Sequence, residues 1–116
     1  MADLETSAVT PTGIWNFTFF KQGTVTALGS GDATPTVLSK NVFQTAGTTA
    51  ITDFDDGVVG QCIHVQAKTS IKITHNASNI VLSGGADFDM VSGDTLTLFM
   101  FDNGVWSEVG RGHNHA

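Results

Sequence analysis

From Thr95 to Phe101 the side chains alternate, so that Leu96, Leu98 and Met100 fall on one face of an extended segment and Thr95, Thr97, Phe99 and Phe101 on the other. The run is rich in β-branched, aromatic and long apolar residues. After it, Asn103-Gly104 supplies the φ > 0 pair that a tight hairpin turn wants, and Val105 to Val109 returns. Residues 95–109 therefore predict a complete β-hairpin. Both faces of its outgoing strand are partly apolar, so both want cover, and in a chain this short the second cover can come from another copy of the same chain.

The same short period recurs ahead of the hairpin. Strands are predicted over Val42 to Thr45, Thr49 to Phe54, Gln61 to Ala67, Ser70 to Thr74, Asn79 to Leu82 and Phe88 to Met90, separated by turn residues. Ile63 and Val65 share a face, as do Ile71 and Ile73, and their segments, joined at Lys68-Thr69, predict a second hairpin with one dry face. No helical periodicity competes, and no repeat is regular enough for a solenoid. The expected fold is all-β, a small β-sandwich or barrel-like domain of short antiparallel strands.

Nearer the N-terminus, Ile14 to Phe20 alternates so as to stack Trp15, Phe17 and Phe19 on one strongly aromatic face, which is either core or an anchor on another subunit. Residues 1–13 lack periodicity and read as an extended arm. A short apolar piece, Val25 to Leu28, precedes Gly29 to Pro35, which by composition is a flexible connector. The expected organisation is an arm and aromatic segment over 1–34, a β-domain over 35–111 and a His-containing tail over 112–116.

Composition narrows the function classes. The chain has 116 residues, one domain's worth, and carries 11 acidic against 5 basic side chains with no cluster of Lys or Arg. Nucleic acid and anionic membrane are disfavoured as partners on electrostatic grounds. The start, Met1-Ala2-Asp3-Leu4-Glu5, lacks the basic and apolar parts of a signal peptide, and no apolar run is long enough to span a bilayer. Cys62 is the single cysteine, which fits synthesis in a reducing cytoplasm and reads as a small packed residue.

Three places could carry chemistry. Asp53-Phe54-Asp55-Asp56-Gly57 is the densest acidic cluster; it lacks the rest of a calcium loop and reads first as a solvated turn, with Asp55, Asp56 and an exposed Trp106 as candidate ligand-binding residues. Asp87 and Asp89 flank Phe88 and would point the same way, a possible carboxylate pair. At the C-terminus, His113 and His115 face one side of an extended segment, and around a three-fold axis that spacing would gather six imidazole nitrogens, enough for an octahedral transition metal. No nucleophile elbow, phosphate-binding loop or Cys-x-x-Cys is present, so the expectation is a non-enzymatic protein with no cofactor apart from such an axial metal.

Asn41-Val42-Phe43-Gln44-Thr45, Ala50-Ile51-Thr52-Asp53-Phe54 with Gly57 and Gly60-Gln61, Asn79-Ile80-Val81-Leu82, Ser92-Gly93-Asp94-Thr95-Leu96-Thr97-Leu98 and Gly104-Val105-Trp106-Ser107-Glu108-Val109 with Arg111 resemble the β-rich modules near the C-termini of bacteriophage tailspikes and tail fibres. The resemblance implies a homotrimer, with Phe99 and Phe101 on the face that another subunit covers, and its paired His-x-His metal motifs are matched by His113 and His115. Tailspikes carry a long enzymatic β-helix ahead of such a module. Here an arm and a short aromatic segment stand in its place, so polysaccharide cleavage is not carried over. The expectation is therefore a virion protein made in the bacterial host cytoplasm: a trimeric capsid decoration or cement protein that binds the major capsid protein through residues 1–28, with Trp15, Phe17 and Phe19 as anchors. The alternative is a tail-fibre or tailspike tip module for trimerisation and host glycan binding. A lectin-like or hydrolytic domain using the carboxylates is a third, weaker reading.

Overall fold

A computed structural model describes residues 21–115. Trp15, Phe17, Phe19 and the expected arm lie outside the described residues. Eight strands appear in chain order: β1 Thr26–Ala27, β2 Val42–Gln44, β3 Cys62–Gln66, β4 Ile71–Ile73, β5 Ile80–Val81, β6 Phe88–Met90, β7 Thr95–Asp102 and β8 Val105–Gly112. A single 3₁₀ turn, Ser83–Gly85, is the only helical piece among the described residues. The expectation of an all-β fold holds, but the strands are not all antiparallel as expected: β1 and β2, β2 and β3, and β5 and β8 pair in parallel.

The long strands nucleate the larger sheet, whose order is β1-β2-β3-β7-β8-β5. The predicted hairpin is its centre: β7 and β8 pair antiparallel from Asp102↔Val105 to Thr95↔Gly112. Of the turn pair only Gly104 takes a positive φ, 81°, so Asn103 does not supply the second left-handed residue that the sequence suggested. Two irregularities adjust the ladder, one at Phe101 on β7 and one at Val109 on β8. Because they fall on opposite strands they cancel, and the register set at the turn is restored at the far end.

The second predicted hairpin does not form. β3 pairs with β2 in parallel and with β7 antiparallel, while β4 pairs with β6 in a separate two-stranded sheet. Lys68-Thr69 has no residue suited to positive φ, and the donors there are taken elsewhere. The Ala67 N–H donates to the Asp94 carbonyl at 2.9 Å, and the Lys68 N–H to the Thr45 hydroxyl at 3.0 Å. The segment between β3 and β4 thus crosses between sheets.

The two sheets close on one apolar core, a sandwich-like arrangement that agrees with the predicted dry face. Phe43, Ile63, Val65, Leu96, Leu98, Met100 and Trp106 come from the larger sheet, and Ile71, Ile73, Phe88 and Met90 from the smaller. Thr49 to Phe54, expected as a strand, is reduced to isolated bridges, Ile51↔Ile73 and Asp55↔Thr36. Both the Thr52 and Asp53 N–H groups turn to the Ala33 carbonyl, at 2.8 and 3.4 Å, and the Asp53 carboxylate takes the Phe54 N–H at 2.8 Å. Ile51 keeps two ladder bonds to the end of β4, from its N–H to the Lys72 carbonyl at 2.9 Å and from the Thr74 N–H to its carbonyl at 2.8 Å, and the side bonds at Thr52 and Asp53 stop the ladder there.

Two boundaries move. β1 joins the larger sheet and Leu28 is buried, so the β-domain takes in residues well before Pro35. The Gly29 to Pro35 connector is packed and hydrogen-bonded: Pro35 is buried, Asp32 accepts the Thr34 N–H at 2.9 Å, and Ala33 accepts the two bonds just described. At the other end β8 runs on to Gly112, and His113–His115 fold onto the domain.

Candidate functional site

Strand alternation leaves the larger sheet with an outer face as ordered as its inner one. Cys62, His64 and Gln66 on β3 stand across from Phe99, Thr97 and Thr95 on β7, and Val42 and Gln44 on β2 continue the same rows. The Gln44 amide donates to the Gln66 side-chain carbonyl at 2.9 Å, and His64 Nδ1 bonds the Thr97 hydroxyl at 2.9 Å. Beside Thr97 and Thr95 lie Gly110 and Gly112, and a shallow cleft of about 320 Å³ opens on this face between Val42, His64, Gln66, Thr95 and Thr97. Away from the hairpin tip at Asp102, no Asp, Glu, Lys or Arg stands on this face from Ala27 of β1 to Val81 of β5, among the described residues. Phe99 and Phe101 pack there with ring centroids 4.5 Å apart and ring planes tilted by 43°, and Phe101 is 59% exposed. An uncharged, half-apolar sheet face is the composition of an interface centre, where charged residues are depleted because burying them unpaired is costly.

The acidic loop behaves differently from the sequence expectation. Trp106 is fully buried on the inner face, where its indole N–H donates to the Phe54 carbonyl at 3.2 Å and Phe54 packs edge-on at 6.3 Å between ring centroids. It cannot stack on a ligand, which removes it from the binding residues. Asp55 and Asp56 are exposed; the Thr36 hydroxyl donates to Asp56, which holds a left-handed φ of 69°. Burial raises the Asp53 carboxyl above its ordinary value, its bond from the Phe54 N–H opposes this, and Asp55 adds to the rise. Beside the loop is a cleft of about 250 Å³ lined by Leu38, Lys40, Asn41, Asp56, Val58 and Gln61.

Asp87 and Asp89 share a side of β6 but are occupied. Asp87 accepts the His75 N–H at 2.8 Å and lies 3.7 Å from the Lys72 ammonium, and Asp89 sits across from Lys72 in the ladder. Such surface pairing suits a charge-balanced sheet face.

The C-terminal imidazoles meet a residue that sequence reasoning missed. Asp94, in the turn before β7, has a fully buried carboxylate. Its Oδ2 accepts the Val91 N–H at 3.0 Å, and its Oδ1 accepts the Asn114 N–H at 2.9 Å and contacts His115 Nδ1 at 2.6 Å. His113 Nδ1 stands 3.9 Å from Oδ2. Burial pushes the Asp94 carboxyl up, but the Val91 N–H, the His115 contact, the Asn114 N–H and the charge attraction of His115 together outweigh it and hold the group down at about 2. One ligand atom from each of Asp94, His113 and His115 lies within 4.8 Å of the others. The signal was present in the hairpin: carrying the Asp102↔Val105 register to the end sets residue 94 opposite 113.

Residues 21–107, about three quarters of the chain, match the family described as the phage depolymerase C-terminal beta sandwich domain. The chain belongs to that family. Within this β-sandwich domain, the hairpin and the uncharged outer face fall largely inside the matched residues, whereas His113 and His115 lie beyond them. Membership gives the domain a phage, tail-associated structural character, and the tailspike reading of its sequence agrees with it better than capsid decoration does. No curated protein and no solved structure matched the chain.

Proposed function

We propose that this β-sandwich domain is a non-enzymatic assembly and recognition module of a phage tailspike or tail fibre, which forms a homotrimer through the outer face of its larger sheet. The observation that carries this reading is the absence of charge across that face among the described residues away from Asp102, together with the Phe99–Phe101 pair, of which Phe101 is exposed. A solvated sheet face in a chain with 16 charged side chains would be expected to carry some of them, whereas a covered one excludes them. Gly110, where a side chain would meet nothing within 4 Å, lets a neighbouring strand approach the backbone closely. Recognition of host glycan falls to the loops, where Asp55 and Asp56 offer acceptors to sugar hydroxyls beside the cleft at Leu38, Lys40 and Gln61.

Light scattering on the purified chain tests the assembly directly: a three-chain mass at micromolar concentration supports it, and a monomer mass overturns it. Staining of host cells with the labelled protein tests recognition. Surface labelling lost in an Asp55→Ala, Asp56→Ala double variant supports the loop assignment, and labelling that persists in that variant removes it.

A further inference from the structure

The geometry points to a divalent transition-metal site built within each chain from Asp94, His113 and His115, with Zn²⁺ as the ion it fits. Asp94 is the anchor. Its carboxylate is wholly buried and oriented by two backbone N–H groups, from Val91 and Asn114, so its remaining lone pairs have a set direction toward the imidazoles. The two rings close over it from the solvent side, with side chains 62% and 37% exposed for His113 and His115. His113 is itself steered by an edge-on contact with Phe88 at 5.3 Å between centroids.

Ligand atoms held at roughly 2.0–2.2 Å from a common ion stand roughly 3–3.5 Å apart. The contact from His115 Nδ1 to Asp94 Oδ1 is 2.6 Å and that from His113 Nδ1 to the other carboxylate oxygen, Oδ2, is 3.9 Å, and one ligand atom from each of the three residues lies within 4.8 Å of the others, so His115 must draw back from Oδ1 and His113 swing inward for both rings and one oxygen to share an ion. Both imidazoles are surface side chains at the end of a strand and can make that adjustment. Two imidazole nitrogens and one carboxylate oxygen select a borderline cation such as Zn²⁺ and not Ca²⁺ or Mg²⁺, which prefer oxygen alone. Three protein ligands leave a position open for water or for a group from a neighbouring molecule. Because His115 is committed to the Asp94 of its own chain, the expected stoichiometry is one ion per chain. Six imidazoles gathered on a three-fold axis would give one ion per three chains.

The experiment is titration of the tag-free full chain, stripped with chelator, with ZnCl₂ by calorimetry, and with CoCl₂ by visible absorption. One Zn²⁺ per chain and a Co²⁺ d–d band are expected, with affinity falling at least about tenfold in His113→Ala and in His115→Ala. The substituted rings are exposed, so both variants are expected to fold; melting curves in chelator establish this, and Asp94→Asn serves as a third variant. Absence of binding, one ion per three chains, or affinity unchanged in both histidine variants overturns the site.

Discussion

Gly57 lies flat against the indole of Trp106, with no room for a side chain between them. A methyl group at Gly57 would overlap the indole and stand 2.8 Å from Met100 Cε. The acidic loop is therefore clamped on the core by its glycine, and its carboxylates point outward because Phe54 and Gly57 must point inward.

Gly57→Ala is expected to destabilise the domain by about 1–3 kcal/mol through overpacking, since the nearest atoms belong to a ring fixed on β8. Chemical denaturation with an unchanged slope and a lowered midpoint is the expected result. An unaltered midpoint would mean that the loop lifts away without cost.

Glu108 and Arg111 form a paired contact at 2.6 and 2.8 Å, with the Arg111 guanidinium 3.9 Å above the Phe88 ring. The Glu108 side chain is only 6% exposed. The Arg111 bond, opposed by burial and aided by the Ser83 N–H, holds the Glu108 carboxyl below its usual 4.5. A carboxyl lowered on folding contributes stability that is present above its unfolded value and lost as pH falls through the folded one. Melting temperature should therefore drop as pH falls below 4.5, and Glu108→Gln should flatten that drop. At neutral pH the same variant should cost about 1–3 kcal/mol, the usual value of hydrogen bonds to a charged group.

Thr97→Lys places a charge at the centre of the outer face, between Gly110 on one side and His64 on the other, and gives up the His64 bond to the Thr97 hydroxyl. The variant should fold, with stability within about 1 kcal/mol of the parent, and yet fail to assemble, because the interface would have to bury an unpaired ammonium. Light scattering and circular dichroism on the same sample separate the two effects.

Cys62 shares that face, across from Phe99, and burial raises its thiol above the ordinary value of 9.0. It should react with a thiol reagent at pH 7.5 far more slowly than the denatured chain does. If the face is covered by a neighbouring subunit, Thr97→Lys should speed the reaction. Equal rates in parent and variant would count against that coverage.

The local pattern was enough to specify the hairpin, its inner row Leu96, Leu98 and Met100, and most of the other strands, because alternation and turn chemistry act over a few residues and need no knowledge of partners. It also carried the family resemblance. Pairing between strands distant in sequence was beyond its reach: Lys68-Thr69 looks like a link within one sheet, and only competition for the Ala67 and Lys68 N–H groups sends the chain across to the other. Tertiary structure likewise decided which of two plausible environments each site residue received. Trp106 could have faced solvent by sequence, but the bulge and the register of β8 turn it into the core, and Gly57 closes over it. Asp94 was an ordinary turn residue until the far end of the hairpin brought His113 and His115 to it, a meeting set by strand register and not by any neighbour in sequence.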